Sequence, residues 1–310
     1  MPDSTSHVSM ATGVEFDAIR RMLALWGDRA HGIGDDAAVL SVRAEHKLVA
    51  STDACVEDVH FRRGWLTAEE IGGRAAAAAL SDLAAMAASP VGLLLALALP
   101  SSWRAELDAL ALGVARVASS VGCPIVGGNI SASDKLALTI TVLGDAEHPL
   151  RRSGAREGDS IFVTGRLGGP GEALVALLEG RTPAAAHLVR FASPSPRIRE
   201  AAWLSAHGAT SAIDISDGLM ADAAHVARAS GVSLDIDARL VPLMDDVSTG
   251  DALMSGEEYE LIVTLPADTT VDPAAFEREF GTPLTRIGLV RVAEHDAGAG
   301  AFKGHDHLGP

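Results

Sequence analysis

Apolar side chains at Val14, Ile19, Met22, Leu23 and Trp26 recur at helical spacing and predict a helix over 14–26. KLVAST (47–52) reads as a strand running into Asp53. Thr67 and Glu70 have the spacing of a capping box, and the Ala-rich run behind them predicts a long helix to about Ala88. A strand over 91–99 follows, then a helix from about Ser102 to Val121, stopped by Gly122. Strands over 124–128 and 135–144 complete this half.

Beyond it, HPLRRSGAREGD (148–159) is polar and turn-rich, and marks a boundary between domains at 1–147 and 148–310. SIFVTG then reads as a strand, and Gly-rich RLGGPGEA opens a helix. Helices near 184–191 and 196–207 surround a Pro-Ser loop. Strand SAID, turn ISDG, a helix to Ser230 and strand VSLDID come next. YELIVTL, a helix over 273–280 and LTRIGLV close the pattern. Mixed strands and helices with short connections give an α/β or α+β class, and 310 residues exceed what one core usually serves.

A hydrophobic content of 48% with 21% charged residues describes a folded chain. Ala and Gly supply much of the apolar share while aromatics make up 4%, so the core should rest on close backbone packing. The net charge is −16, without a Lys/Arg-rich run, which argues against nucleic acid as a partner. Such a chain can still take anionic nucleotides if divalent cations sit between. Cys55 and Cys123 form neither a disulfide framework nor a CxxC pair. The first residues lack a signal-peptide pattern, and PVGLLLALALP is too short for a span of roughly 20 residues. The expectation is a cytoplasmic protein with no membrane partner.

GIGDDAAVL places Asp35 and Asp36 side by side where a loop becomes a strand. Further carboxylates stand in turn-like positions: Asp53 after Ser51 and Thr52, Asp82 in LSDLAAM, and Asp214 and Asp217 around Ser216. Mg²⁺ is usually held by a few carboxylates together with substrate phosphates, and neighbouring hydroxyls or carbonyls complete its shell. Acidic residues also favour turns and helix N-caps on their own account. TGRLGGPGEA can bring backbone N–H groups to a phosphate at a helix start, or can simply be a tight turn. His60 in EDVHF is open to a structural or a substrate role.

Taken in order, GIGDDAAVL, STDACVEDVHF, LSDLAAMAASP, LRRSGAREGDSIFVTGRLG, DISDGLMAD, GEEYELIVT and GAFKGHDH resemble the thiamine-monophosphate kinase family, of the aminoimidazole-ribonucleotide-synthetase-like superfamily. The resemblance runs from about residue 31 to 307. It implies an N-terminal mixed α/β domain whose barrel-like sheet forms a homodimer, and a C-terminal α/β domain that completes the active-site cleft. The implied reaction is direct, Mg²⁺-assisted transfer of the ATP γ-phosphoryl group to thiamine monophosphate, with several ions and no general base assigned. Carried over by position, Asp35, Ser51, Thr52, Asp53, Asp82, Asn129, Asp214 and Asp217 would hold metal. Asp36, Gly128, Arg152, Gly165 and Ser216 would lie at ATP or its phosphates, and His60, Glu258, Tyr259 and Phe302 at the thiamine substrate.

The family pattern has Asp where GGNIS has Asn129, Asn where this chain has Ala79, Gly at Ala87, and GDDYEL where this chain has GEEYEL. These departures leave two alternatives standing: another ATP-dependent enzyme of the superfamily, or a nucleotide-binding paralogue that does not catalyse.

Overall fold

The computed structural model describes residues 13–31, 33 and 37–293. Asp35, Asp36 and Phe302 lie outside these residues. The chain divides into two units, residues 1–83 with 88–148, and residues 84–87 with 149–310.

In the first unit, β1 (Lys47–Val56), β2 (Ser89–Leu99), β3 (Ile125–Ala132) and β4 (Ala137–Ala146) form a sheet in the order β1-β4-β2-β3. Only β2 and β3 run parallel. Alternation along the strands places Leu93, Leu95, Leu97, Leu138, Ile140 and Val142 on one face, each at most 3% exposed. Helix α2 (Ala68–Ala85) meets this face: Leu83 packs at Gly144, and Asp82 accepts a hydrogen bond from Ser51. Helices α1 (Val14–Trp26) and α3 (Leu107–Ser120) are tied by Trp26 Nε1, which donates to the Ala111 carbonyl at 2.9 Å. The expected capping box is present: Glu70 N donates to Thr67 Oγ1 at 3.2 Å, and Thr67 N to Glu70 Oε2 at 2.7 Å.

The scarcity of aromatics has its counterpart where α2 crosses α3. A methyl group at Gly72 would lie 2.1 Å from the Leu110 carbonyl, and one at Gly113 would lie 1.9 Å from the Glu69 carbonyl. The two backbones touch, so glycine is the residue that fits. The segment leading into β1 is anchored by Arg43, whose backbone N and Nε each donate to the buried Asp145 carboxylate at 3.0 Å. That pairing holds the Asp145 carboxyl down to about 2. Cys55 and Cys123 are both buried and not in a disulfide, and burial pushes Cys123 up to about 12.

The second unit has a five-stranded, wholly antiparallel sheet. It is built from β5 (Ser160–Thr164), β6 (Ser211–Asp214), β7 (Val232–Ile236), β8 (Leu261–Leu265) and β9 (Leu284–Val292), in the order β6-β8-β5-β9-β7. The helices are α4 (Gly169–Leu178), α5 (Ala185–Ala192), α6 (Ile198–Ala206), α7 (Leu219–Ser230), α8 (Thr249–Met254) and α9 (Pro273–Phe280). Ile161, Val163, Ile213, Ile215, Leu219, Val226, Ile262 and Ile287 form its core. The mixed helix and sheet class expected from the pattern is present, in its α+β form. Element readings change at four places. β1 and β3 run on to Val56 and Ala132, α2 stops at Ala85, and α8 is an additional short helix. Among the described residues no helix is long and apolar enough to cross a membrane.

Candidate active site

In the first unit the acidic group begins on β1. Ser51 and Asp53 stand two residues apart in a regular strand, so they share the face that meets α2. Ser51 Oγ donates to Asp82 Oδ2 at 2.5 Å, and Asp53 Oδ1 accepts from the Ala54 N–H at 2.8 Å. Thr52 does not join them. Its hydroxyl lies 3.0 Å from Thr141 Oγ1 on the opposite, exposed face.

Asn129 stands on another strand. It lies on β3 in register with Ala96 of β2, and β1 is the strand at the other edge of the sheet. Three strand spacings, about 14 Å along the sheet, separate those edges. Gly128 abuts β2 so closely that a methyl group there would sit 1.9 Å from the Leu95 carbonyl. His60 is half-buried, and its Nδ1 accepts from the Val56 N–H at 3.1 Å, which leaves the ring proton on Nε2. Glu57, three residues earlier, binds Trp103 Nε1 and the Leu136 N–H, closing the 57–66 loop onto the fold.

The second unit gathers Asp214, Ser216 and Asp217 in the turn between β6 and α7. Asp217, Asp222 and His225 each bring a ligand atom within 4.8 Å of the others. Asp222 and His225, which the sequence reading did not select, lie on α7 and are the additions the structure makes. Burial, followed by the charges of Asp214 and Asp217, pushes the Asp222 carboxyl up to about 7. Burial chiefly lowers His225, helped by the nearby Arg152 and Arg228 guanidiniums. Arg152 is exposed, and its carbonyl accepts from Ser230 Oγ.

The glycine-rich turn before α4 has a structural explanation. The N–H groups of Gly165, Leu167, Gly168 and Gly171 donate to the Pro283 carbonyl, the Pro242 carbonyl, Glu258 Oε1 and Ser255 Oγ. Methyl groups at Gly165 and Gly168 would lie 2.2 Å from the Glu260 carboxylate and from Val247. Those four donors are spent inside the fold.

Glu258 is likewise engaged inside the fold. It is 0% exposed, and its Oε1 takes Gly168 N at 2.5 Å and Ser255 Oγ at 2.6 Å. Oε2 is buried without a hydrogen-bond partner, and burial pushes the carboxyl up to about 7. Glu257 and Tyr259 on either side take positive φ, 61° and 51°, which turns Glu258 inward. Both neighbours remain part-exposed, and Tyr259 Oη donates to Glu257 Oε2 at 2.6 Å. Glu260 below them is paired with Arg190 and Arg197 and stays below the usual carboxylate range despite its burial.

All the ligand atoms of the Ser51–Asp53–Asp82 group are oxygens, the donor set a hard cation prefers. In the second group Asp217, Asp222 and His225 bring ligand atoms within 4.8 Å of one another, a concentration of negative charge that a cation would offset. Both groups therefore fit Mg²⁺.

Residues 34–146 match the family model for the N-terminal domain of AIR synthase related protein, and residues 156–298 match that for its C-terminal domain. The thiamine-monophosphate kinase of Bacillus subtilis is 33% identical over 276 residues, covering 84% of this chain and 85% of that protein. The chain belongs to the thiamine-monophosphate kinase family. Among solved structures, the family member from Stenotrophomonas maltophilia superposes with a TM-score of 0.81 at 34% identity. That match covers 91% of this chain and 95% of the other. The structure of AaThiL complexed with AMPPCP and TMP superposes at 0.74 with 31% identity, over 92% and 94% of the two chains.

Proposed function

We propose that this protein transfers the γ-phosphoryl group of ATP to thiamine monophosphate, giving thiamine diphosphate, as its family name describes. The observation that carries this reading is the likeness, over more than nine tenths of both chains, to a structure holding AMPPCP and TMP. The two acidic groups supply the matching chemistry. Mg²⁺, when bound, would supply the neutralisation of phosphate charge that phosphoryl transfer chiefly demands. Asp53, Asp82 and Ser51 would hold it in the first unit, and Asp214 and Asp217 in the second. Asp35 and Asp36 belong to the proposal by sequence position alone.

Ser216 and Arg152 would face phosphate, the first by its hydroxyl, the second by charge. At the acceptor, Glu257 replaces Glu258, because of the two adjacent carboxylates it is the one with a part-exposed side chain. His60 Nε2–H and the Tyr259–Glu257 pair would recognise the thiamine portion. The acceptor phosphate is already ionised, so no side chain is needed as a strong base.

A homodimer and a cytoplasmic setting are part of the same reading. The dimer is supported by the second face of the four-stranded sheet, where Leu48 is 57% exposed beside exposed Ala50 and Thr52. Light scattering at micromolar concentration tests it, and a monomer counts against it. The activity is tested by coupled ADP release with thiamine monophosphate as acceptor, with Mg²⁺ and with excess chelator. ADP release that needs both acceptor and metal is the expected result. No release, or unchanged release in chelator, rejects the reading.

A further inference from the structure

The turn that carries Ser216 and Asp217 is held from two sides. On one side is backbone: Glu257 N donates to the Ser216 carbonyl at 2.8 Å, Tyr259 N to the Ile215 carbonyl at 2.9 Å, and Ile215 N to the Glu260 carbonyl at 2.8 Å. On the other side is a single carboxylate. Asp222 Oδ2 accepts from both the Ser216 N–H and the Asp217 N–H, each at 3.0 Å. Asp222 is 2% exposed and sits in the first turn of α7, where its own N–H donates to the Gly218 carbonyl. Gly218, at the N-cap, offers no side chain for the purpose. An N-cap side chain normally reaches forward into its helix. Here the acceptor reaches backward, out of the helix, to the two residues before the cap.

We propose that Asp222 is a positioning residue for the acidic turn: its buried carboxylate fixes the Ser216 and Asp217 amides, and through them the direction in which Asp217 presents its own carboxylate. The inference rests on the reading that this turn holds Mg²⁺ and phosphate. It gives Asp222 no contact with either. The amide bonds occupy Oδ2, and the role requires an oxygen acceptor at that place, not a negative charge.

This separates the role from direct ligation and from simple helix stabilisation. Asp222→Asn keeps an oxygen for both amides, whereas Asp222→Ala keeps none. Measured on the full chain by Mg²⁺ titration of ADP release and by direct calorimetric Mg²⁺ binding with an ATP analogue, Asp222→Ala is expected to raise the Mg²⁺ requirement about 10- to 100-fold, as losses of ligand-orienting groups do. Asp222→Asn is expected to stay within about threefold of wild type, the rescue that an intact acceptor gives. Loss in the Asn variant equal to that in the Ala variant would make Asp222 a direct ligand and overturn the proposal. An Ala variant that melts lower but keeps the wild-type Mg²⁺ requirement would overturn it as well, in favour of a purely structural cap. Amide hydrogen exchange in the wild type needs no variant: Ser216 and Asp217 are expected to be protected, and exchange at the rate of an open loop rejects the anchor. Wild-type protein that neither binds Mg²⁺ with the analogue nor releases ADP would instead reject the functional reading beneath it.

Discussion

Ser51 Oγ and Asp82 Oδ2 lie 2.5 Å apart, a hydroxyl from the first strand and a carboxylate from the helix that covers it. The contact joins two segments 31 residues apart in sequence and sets Asp82 beside the face that carries Asp53. Asp82→Asn keeps the shape and removes the charge. It is expected to lower turnover by roughly 10-fold or more at fixed Mg²⁺, and to recover in part as Mg²⁺ is raised. Ser51→Ala is expected to have the smaller effect, since both carboxylates remain. Kinetics at several Mg²⁺ concentrations check this, and an Asp82→Asn enzyme with wild-type metal dependence removes Asp82 from the site.

The crossing of α2 and α3 reverses an ordinary rule. Alanine in place of a mid-helix glycine usually gains up to about 1 kcal/mol. At Gly113 the new methyl would meet the Glu69 carbonyl, so Gly113→Ala is expected to lose about 1–3 kcal/mol through overpacking. Urea unfolding measures the sign, and a stabilised variant contradicts the close approach.

Glu258 makes stability depend on pH. Its carboxyl is raised from an ordinary 4.5 to about 7 in the folded chain, chiefly by burial. Between those values the folded state binds the extra proton. Its contribution is complete below about 4.5 and is lost as pH rises through about 7. Glu258→Gln retains the oxygen that Gly168 and Ser255 need and has no proton to lose. Relative to wild type, the variant should therefore gain stability on going from pH 5 to pH 8. Equal differences in urea midpoint at both pH values would show that Glu258 does not titrate this way.

Asp145 works in the opposite direction. Its carboxyl is lowered from 3.8 to about 2, chiefly by hydrogen bonding to Arg43. That contribution is present above the ordinary value and disappears as pH falls through about 2. Arg43→Met is expected to lower the urea midpoint at neutral pH, with the gap to wild type closing below about pH 4. A gap that persists unchanged in acid would assign the loss to something other than the ion pair.

Much of this architecture is legible because each element carries its own local signal. The capping box at Thr67 and the alternation in β1 and β4 are complete within a few residues. What was not legible depends on backbone turns that the side chains do not announce. α2 ends at Ala85 because Ala87 takes a positive φ of 50° inside an unbroken alanine-rich run. α8, from Thr249 to Met254, is too short to show periodicity, and only the Ser248 hydroxyl accepting from Asp251 N marks its start. Glu257 and Glu258 are identical in type, and the positive φ on either side of Glu258 decides which one is buried. Asp222 looks like an ordinary acidic residue in a first helical turn until the amides it holds are seen. Strand order places Asn129 on β3, and alternation turns the Thr52 side chain to the face opposite Ser51 and Asp53, neither of which the local sequence announces.

The placement of the cysteines supplies the chain with its own unfolding reporters. Cys55 and Cys123 both lie in the first unit, buried, and the second unit has no thiol. A thiolate-seeking label such as a maleimide will therefore react slowly with the native protein, at a rate set by opening of the first unit alone. Trp203, the second unit's sole tryptophan, stacks on His207 with ring centroids 3.5 Å apart, so the fluorescence change on separating that pair follows the other half. Label uptake and Trp203 emission, recorded together in rising urea with Trp26, Trp65 and Trp103 of the first unit replaced by Phe, show whether the two halves come apart as one event or two.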